Sequence, residues 1–304
     1  MNSPVIIFCY NRLDGLKLTI EHLKQNYLAA STDLYIFSDG AAKIADSKQV
    51  DLVRDYLQTI DGFKEVNIQT SAVNKGLAKS IIDGVTEVLK IHESVIVLED
   101  DLLTSTNFLN YMNQSLEFYK ENKKVFSVSA YSFPILFPQV YIYDNYFTKR
   151  GSSWGWGTWR NRWESVDWQV SDYDDFAHNP IARKKFNQMG SDMADMLDKQ
   201  MKGKVNSWAI RWCYHQFKTD TFTAFPSQSK IQNIGFSAAA THTSSVQQSR
   251  FATIMDDSNR QSFKLNPFVS LNSLIVKQFV KRYSVITRLK YKALSLIQYR
   301  ISFL

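Results

Sequence analysis

Two features of the 304-residue sequence predict an α/β fold with a mostly parallel sheet flanked by helices. In the N-terminal third, short β-branched runs alternate with longer stretches of helical periodicity, a βαβαβαβ pattern that implies parallel strands joined by right-handed crossovers. Each apolar run also ends in polar, charged or glycine residues, which collects these loops at one rim of the sheet, where such folds bind ligands.

Taken in order, Val5 to Cys9, Leu34 to Phe37, Val66 to Gln69 and Val95 to Leu98 read as strands. Leu16 to Leu28, Lys48 to Ile60 and Leu77 to Ile91 carry apolar residues at helical spacing and read as the crossovers. Asn107 to Tyr119 then reads as a helix and Val125 to Ser129 as a strand. Further on, about Ile181 to Met201 reads as a helical stretch, and "NSWAIRWCYHQF" (Asn206 to Phe217) as a helix, with Trp208, Trp212 and His215 on one face.

Composition narrows the class. With 44% hydrophobic and 14% aromatic residues the chain can bury a substantial core, which argues against disorder. Cys9 and Cys213 lie within apolar or helical stretches and read as reduced thiols, so a cytoplasmic location is expected. No apolar run reaches the roughly 18 to 20 residues that span a bilayer, and Val5 to Phe8 lacks the basic leader of a signal peptide. The net charge of +7 is concentrated at one end. From Ser258 to Leu304 there are nine basic residues and no acidic one, so the preceding 257 residues carry 27 basic against 29 acidic, or −2.

The strand ends read in turn "YNR" (Tyr10 to Arg12), "SDGA" (Ser38 to Ala41), "NKG" (Asn74 to Gly76) and "EDD" (Glu99 to Asp101). Any one of them is explained by the polarity of loops, whereas the four together point to a site. Three consecutive carboxylates at the tip of an apolar strand repel one another unless a positive charge compensates them. Carboxylates are hard ligands suited to magnesium, manganese or calcium, and an ion held by only a few of them keeps positions for phosphate oxygens. A divalent cation carrying a nucleotide diphosphate is therefore the expected partner, with Arg12 adding a charge-assisted contact. The segment "RGSSWGWGTWRNRW" (Arg150 to Trp163) places four tryptophans within ten residues. They read either as a core plug or as a platform on which a sugar ring stacks, Trp154, Gly155 and Trp156 being the candidates.

In order along the chain, "FCYNR", "FSDGA", "NKGLAKSI", "VIVLEDDLLTSTNFLNYM", "SVSAYSF", "SSWGWGTW", "NSWAIRW" and "NIGFSAAATHT" cover about residues 4 to 245. As a set they resemble inverting GT-A glycosyltransferases related to N-acetylglucosaminyltransferase I, especially bacterial members that build polysaccharide and lipopolysaccharide. The resemblance implies a GT-A domain over residues 1–265, with a nucleotide-binding half at 1–130 and an acceptor half at 131–265, followed by a basic helical tail at 266–304. It makes the acidic triplet a DXD-type motif. Asp101 would coordinate manganese (or magnesium), Glu99 and Asp100 would lie near the ribose and donor sugar, and Arg12 and Asp39 would contact the nucleotide. His242 in "ATHT" is a candidate third metal ligand or phosphate contact.

One position departs from the pattern. Where these enzymes carry the carboxylate that deprotonates the acceptor, this chain has Asn206 and Ser207, neither of which is a base. Asp144, Glu164 and Asp192 are the alternatives, and a non-catalytic glycan- or nucleotide-binding relative stays open. A sugar-phosphate nucleotidyltransferase is a further alternative, although no Gly-rich phosphate loop follows the first strand. In the tail, Leu271 to Leu304 repeats apolar residues at helical spacing with Lys277, Lys281, Arg288 and Lys292 on roughly the opposite face. It reads either as an ordinary amphipathic helix docked on the body or as one lying on an anionic membrane surface, and the latter places the protein at the inner face of the cytoplasmic membrane beside a glycan or lipid-linked acceptor. No nucleic-acid partner is expected, because the body has no matching basic patch.

Overall fold

The computed structural model describes residues 2–235 and 250–301, and within them the alternation forms as expected. Strands β1 (Val5–Cys9), β2 (Asp33–Ser38), β3 (Glu65–Thr70) and β4 (Ser94–Glu99) alternate with helices α1 (Leu13–Lys24), α2 (Ser47–Leu57) and α3 (Leu77–Leu89). The four strands pair in parallel in the order β3-β2-β1-β4. Beyond β4 the sheet continues through β8 (Trp156–Trp159), β6 (Val125–Ser129), β9 (Phe222–Pro226) and β7 (Asn145–Thr148). Of these eight strands only β8 and β7 run against the others. A small antiparallel pair, β5 (Leu102–Thr104) with β10 (Ile231–Asn233), sits beside the end of β4.

The sheet is a middle layer, which explains why its central strands are apolar throughout. Side chains alternate with a period of two, so Val5, Ile7 and Cys9 of β1 face α1, α2 and α4 (Phe108–Tyr119). Ile6 and Phe8 face α3 and a tryptophan cluster on the other side. Each aliphatic side chain buried in this way contributes about 1.5–3 kcal/mol. Both cysteines are buried and unpaired, and burial is the main force pushing the Cys9 thiol up to about 12.

The second half differs from expectation in two places. The helical stretch over 181–201 is broken into two helices, α7 (Pro180–Phe186) and α8 (Met193–Met201), which follow the short α5 (Arg160–Trp163) and α6 (Tyr173–Ala177). The break comes at a 3-10 turn (Asn187–Met189) and Gly190, where the Asn187 side chain accepts from the Ala194 amide at 2.9 Å and holds the corner. Helices α6, α7, α8 and α9 (Trp208–Lys218) share their own core around Phe176, Phe186, Leu197 and Tyr214.

The tail likewise forms two helices, α10 (Ser273–Arg282) and α11 (Val285–Ile301). Asn272 caps α10 by accepting from the amides of Leu274 and Ile275. Ile275 and Phe279 are fully buried, Phe279 packing on Phe133 and Phe225. The continuous helix is interrupted because Tyr283 turns into the body beneath Arg150, whose guanidinium carbon lies 3.8 Å from the ring centroid. The first tail helix thus docks on the core through one face, while Lys277 and Lys281 of its basic face stay exposed. No helix among the described residues is long and apolar enough to cross a membrane.

Candidate functional site

The carboxyl ends of β1, β2, β3, β4, β6 and β9 open on one rim, joined there by the starts of β7 and β8. β4 brings Glu99, Asp100 and Asp101 to it. The positive charge that compensates them is Arg12, from the turn after β1. Its guanidinium pairs with Asp100 and donates to Asp101 Oδ2 at 2.9 Å, while the Tyr10 amide donates to Asp100 Oδ2 at 3.3 Å. Arg12, expected to meet a nucleotide directly, is here the counter-ion of the triplet.

One guanidinium does not satisfy three carboxylates. Burial, then the charges of Asp101 and Asp100, raise Glu99 to about 8 against the pull of Arg12. Burial also raises Asp100 to about 6, opposed by Arg12. Asp101 Oδ1 is buried without a hydrogen-bond partner among the described residues. Such an orphaned oxygen costs about 1–3 kcal/mol or more for a charged group, which makes it a natural ligand for a cation. Among the described residues no group of three His, Cys, Asp or Glu side chains is set to enclose an ion. Asp101 and Asp100 are the carboxylates at this rim that could hold a divalent cation, which would then leave most of its shell to water and phosphate oxygens. His242 lies outside the described residues.

Gly235 completes this corner. The amide of Ile234 donates to the Asp101 carbonyl at 2.9 Å, and a Cβ on Gly235 would come within 2.1 Å of Asp101 Oδ2. Only glycine allows the chain to pass so close to the carboxylate. Sequence reading missed it, because a lone glycine carries no signal of what it touches 134 residues away.

Asp39 is placed at the rim, but its carboxylate is occupied by protein. Its oxygens accept from the amides of Gly40 at 2.9 Å, Lys75 at 2.8 Å and Gly76 at 2.9 Å. Arg54 of α2 adds donations to the carbonyls of Asp39 and Ser71. Asp39 therefore clasps the loops after β2 and β3 together. Tyr10 does similar work, its hydroxyl donating to Asp46 Oδ2 at 2.9 Å and accepting from the Ala42 amide at 2.8 Å.

The tryptophan segment divides between its two readings. Trp156, expected to face a sugar, is buried among Trp163, Trp208 and Trp212 at centroid distances of 5.7, 4.8 and 5.5 Å. Gly155, expected to admit a ligand, is required by its own backbone: its φ is +56°, and a Cβ would meet Ile231 and Ala130 at 3.1–3.2 Å. Both belong to the core. Trp154 is half-buried against Tyr131 and Phe251 and lines a cavity of about 200 Å³ with Ser152, Met196 and Ala209.

Ala209 belongs to the first turn of α9, whose N-cap is Ser207, accepting from the Ile210 amide at 3.4 Å. Asn206 is exposed just before it. Of the other carboxylates weighed as a base, Asp192 gives both oxygens to Arg150 at 2.8 and 2.9 Å. Burial favours its protonation, yet Arg150 outweighs that and holds it below the usual range. Asp144 is tied to Arg260 at 2.9 Å and to the Lys264 amide at 2.7 Å. Glu164 follows α5, beyond the end of β8 that points away from the rim.

No protein-family model matches the chain, and no curated protein sequence matches it. Among solved structures it is similar to S. aureus TarS, at 14% identity over 46% of this chain and 23% of that one, with a TM-score of 0.32. TarS 1-349 gives 10% identity over 76% and 60%, with a TM-score of 0.39. The mannosyltransferase PcManGT from Pyrobaculum calidifontis, in complex with GDP-Man and Mn2+, gives 12% over 55% and 47%, with 0.37. The chain covers less than two thirds of each of these structures.

Proposed function

We propose that the protein is a metal-dependent glycosyltransferase that moves a sugar from a nucleoside diphosphate to an acceptor hydroxyl. The observation that carries this reading is the uncompensated charge at the end of β4, with three carboxylates against one Arg12 and Asp101 Oδ1 left without a partner. An anionic diphosphate cannot approach such a rim alone, whereas one paired with a divalent cation can. Asp101 and Asp100 would hold the manganese or magnesium ion, which when bound supplies the charge that stabilises the departing diphosphate.

The chain's own residues supply the rest. Arg12 fixes both aspartates and keeps positive charge where the leaving group develops negative charge. Asp39, Arg54 and Tyr10 hold the neighbouring loops rigid, so that the donor meets a preorganised surface. The cavity at Trp154 would take the sugar or acceptor, and attack of the acceptor hydroxyl at the anomeric carbon would proceed with inversion, as in the relatives of N-acetylglucosaminyltransferase I that the motifs resemble. The cationic α11, which exposes Ile286 and Leu289, would bring the chain to an anionic membrane at the cytoplasmic face, where lipid-linked acceptors of surface polysaccharide are assembled.

A second reading, a binder of nucleotide sugars with little turnover, is favoured by one observation. The start of α9 carries a capping Ser207 in place of a base, and Asp144 and Asp192 are both held in ion pairs. A thermal-shift panel of nucleotide sugars with and without manganese tests the shared part, since a ligand raises apparent stability by mass action. No metal-dependent shift with any nucleotide sugar would refute both readings. Transfer assays with the donor that binds then separate them.

A further inference from the structure

In the connection from β6 to β7, the thirteen residues from Tyr131 to Tyr143 carry no charge, and Asp144 closes it. Part of it is core: Phe133 packs on Phe279 and Tyr283, and Phe137 on Tyr146. The rest is held out to solvent, with Leu136 84%, Val140 86% and Ile142 58% exposed. The backbone there is irregular yet anchored, Leu136 exchanging hydrogen bonds with the Gln278 side chain of α10 at 2.9 and 2.8 Å. Leu274, one turn before Gln278, is also exposed, and it extends the apolar surface onto the helix. Solvation gives no reason to display these side chains on a fixed support, and contiguous exposed apolar surface marks an interaction face.

The acidic Asp144 that ends the loop is paired with Arg260, and the other charges named beside this surface are basic. Lys264 lies 5.8 Å from the Tyr143 ring centroid, and Arg282 5.2 Å from that of Phe133. Lys277 and Lys281 continue the exposed stripe of α10. A second copy meeting this face across a two-fold axis would set lysine against lysine. An anionic lipid surface complements both features, aliphatic tips entering the interface while lysines meet the headgroups.

We propose that the β6–β7 loop and the exposed stripe of α10 form a membrane-docking face, which seats the body of the protein on an anionic bilayer. This rests on the reading of the tail as membrane-facing and extends it to the body, because α10 is locked into the core by Ile275 and Phe279. The orientation follows from topology. The loop leaves the carboxyl end of β6 and enters the start of β7, both on the rim that carries the acidic triplet. Docking through it turns the candidate site toward the lipid surface, so the acceptor class it selects is one presented at a headgroup plane.

The test is co-sedimentation of the full chain with phosphatidylcholine vesicles, with and without phosphatidylglycerol, at low salt. The variants are Leu136→Asp with Val140→Asp, Ile286→Asp with Leu289→Asp on α11, and Ile91→Asp as an exposed control at the opposite end of the sheet. Near-ultraviolet circular dichroism verifies that each variant keeps its packing. The loop variant is expected to lose about tenfold or more in partitioning to the anionic vesicles, and Ile91→Asp to lose nothing. Undiminished binding of the loop variant, with loss only in the α11 variant, overturns the proposal and leaves the tail reading standing. No vesicle binding by the intact chain overturns both. A concentration-dependent dimer that the loop variant dissolves, with unchanged vesicle binding, assigns the face to a second copy instead.

Discussion

Glutamine in place of Glu99 should make the protein more stable, and only at higher pH. In the native state burial and two neighbouring aspartates raise this carboxyl from 4.5 to about 8. Below 4.5 the proton is bound in both folded and unfolded chains. Between 4.5 and about 8 the unfolded chain releases it while the native state retains it, so stability falls as pH rises; above about 8 the loss is complete. A fully enclosed carboxylate with that displacement would cost roughly 5 kcal/mol. Glu99 is only half-buried, and solvent on its outer side reduces this to about 2 kcal/mol. The assay is urea unfolding followed by far-ultraviolet circular dichroism, with wild type and Glu99→Gln compared at pH 4.5 and pH 8. Because other titrating groups are common to both proteins, the difference isolates this one. Equal stability at pH 4.5 and a gain of about 2 kcal/mol for the variant at pH 8 are expected. No gain at pH 8 would show that Arg12 alone compensates the triplet and would remove the main reason for placing a cation there, and a gain already complete at pH 4.5 would show that ionisation of Glu99 is not its source.

Asp101→Ala should abolish manganese-dependent binding of nucleotide sugar while changing unfolding free energy by no more than about 1 kcal/mol, since Arg12 keeps Asp100 as a partner; calorimetric titration and urea melts read the two quantities. Ser207→Asp, which preserves the cap of α9, should raise transfer about 10²-fold if a missing base limits turnover, and unchanged rates at unchanged donor affinity would place the proton acceptor elsewhere. Asp192→Asn should cost about 3 kcal/mol by leaving Arg150 buried without its counter-ion; a loss below about 1 kcal/mol would mean the pair is solvated. Ending the chain after Ser284 should leave a folded protein, whereas ending it after Pro267 removes Ile275 and Phe279 and should cost several kcal/mol. Thermal unfolding compares the two truncations, and equal melting temperatures would contradict the packing of α10.

The first half was legible because its signals are local. Val5–Cys9 and Val125–Ser129 form strands over the expected residues, and the carboxylates at the end of β4 meet at the rim as their spacing implied. What escaped depends on contacts distant in sequence. Arg12 and Asp101 are 89 residues apart, and no pattern around either says that each is the other's partner. Asp39 looked available because its three amide donors lie partly in a loop 36 residues on. Trp156 and Trp154 are two residues apart on opposite sides of a turn, so composition could not sort core from surface. In the tail, helical spacing continues through Tyr283, and what ends the helix there is the packing of the Tyr283 ring beneath Arg150, a contact 133 residues away in sequence.

The gathering of tryptophans behind the sheet also has a spectroscopic consequence. Trp156, Trp163, Trp168, Trp208 and Trp212 form a contiguous group, with ring centroids 4.7–6.4 Å apart between neighbours. At such separations light absorbed by one indole passes readily to the next, so the group emits as a unit. Its rings come from β8, α5, the following loop and α9, and they press on α3, so this emission reports whether the two halves of the molecule are joined. Trp154 stands outside the group, beside Tyr131 and Phe251. Intrinsic fluorescence will therefore follow unfolding faithfully while changing little when a ligand arrives, unless that ligand reaches Trp154.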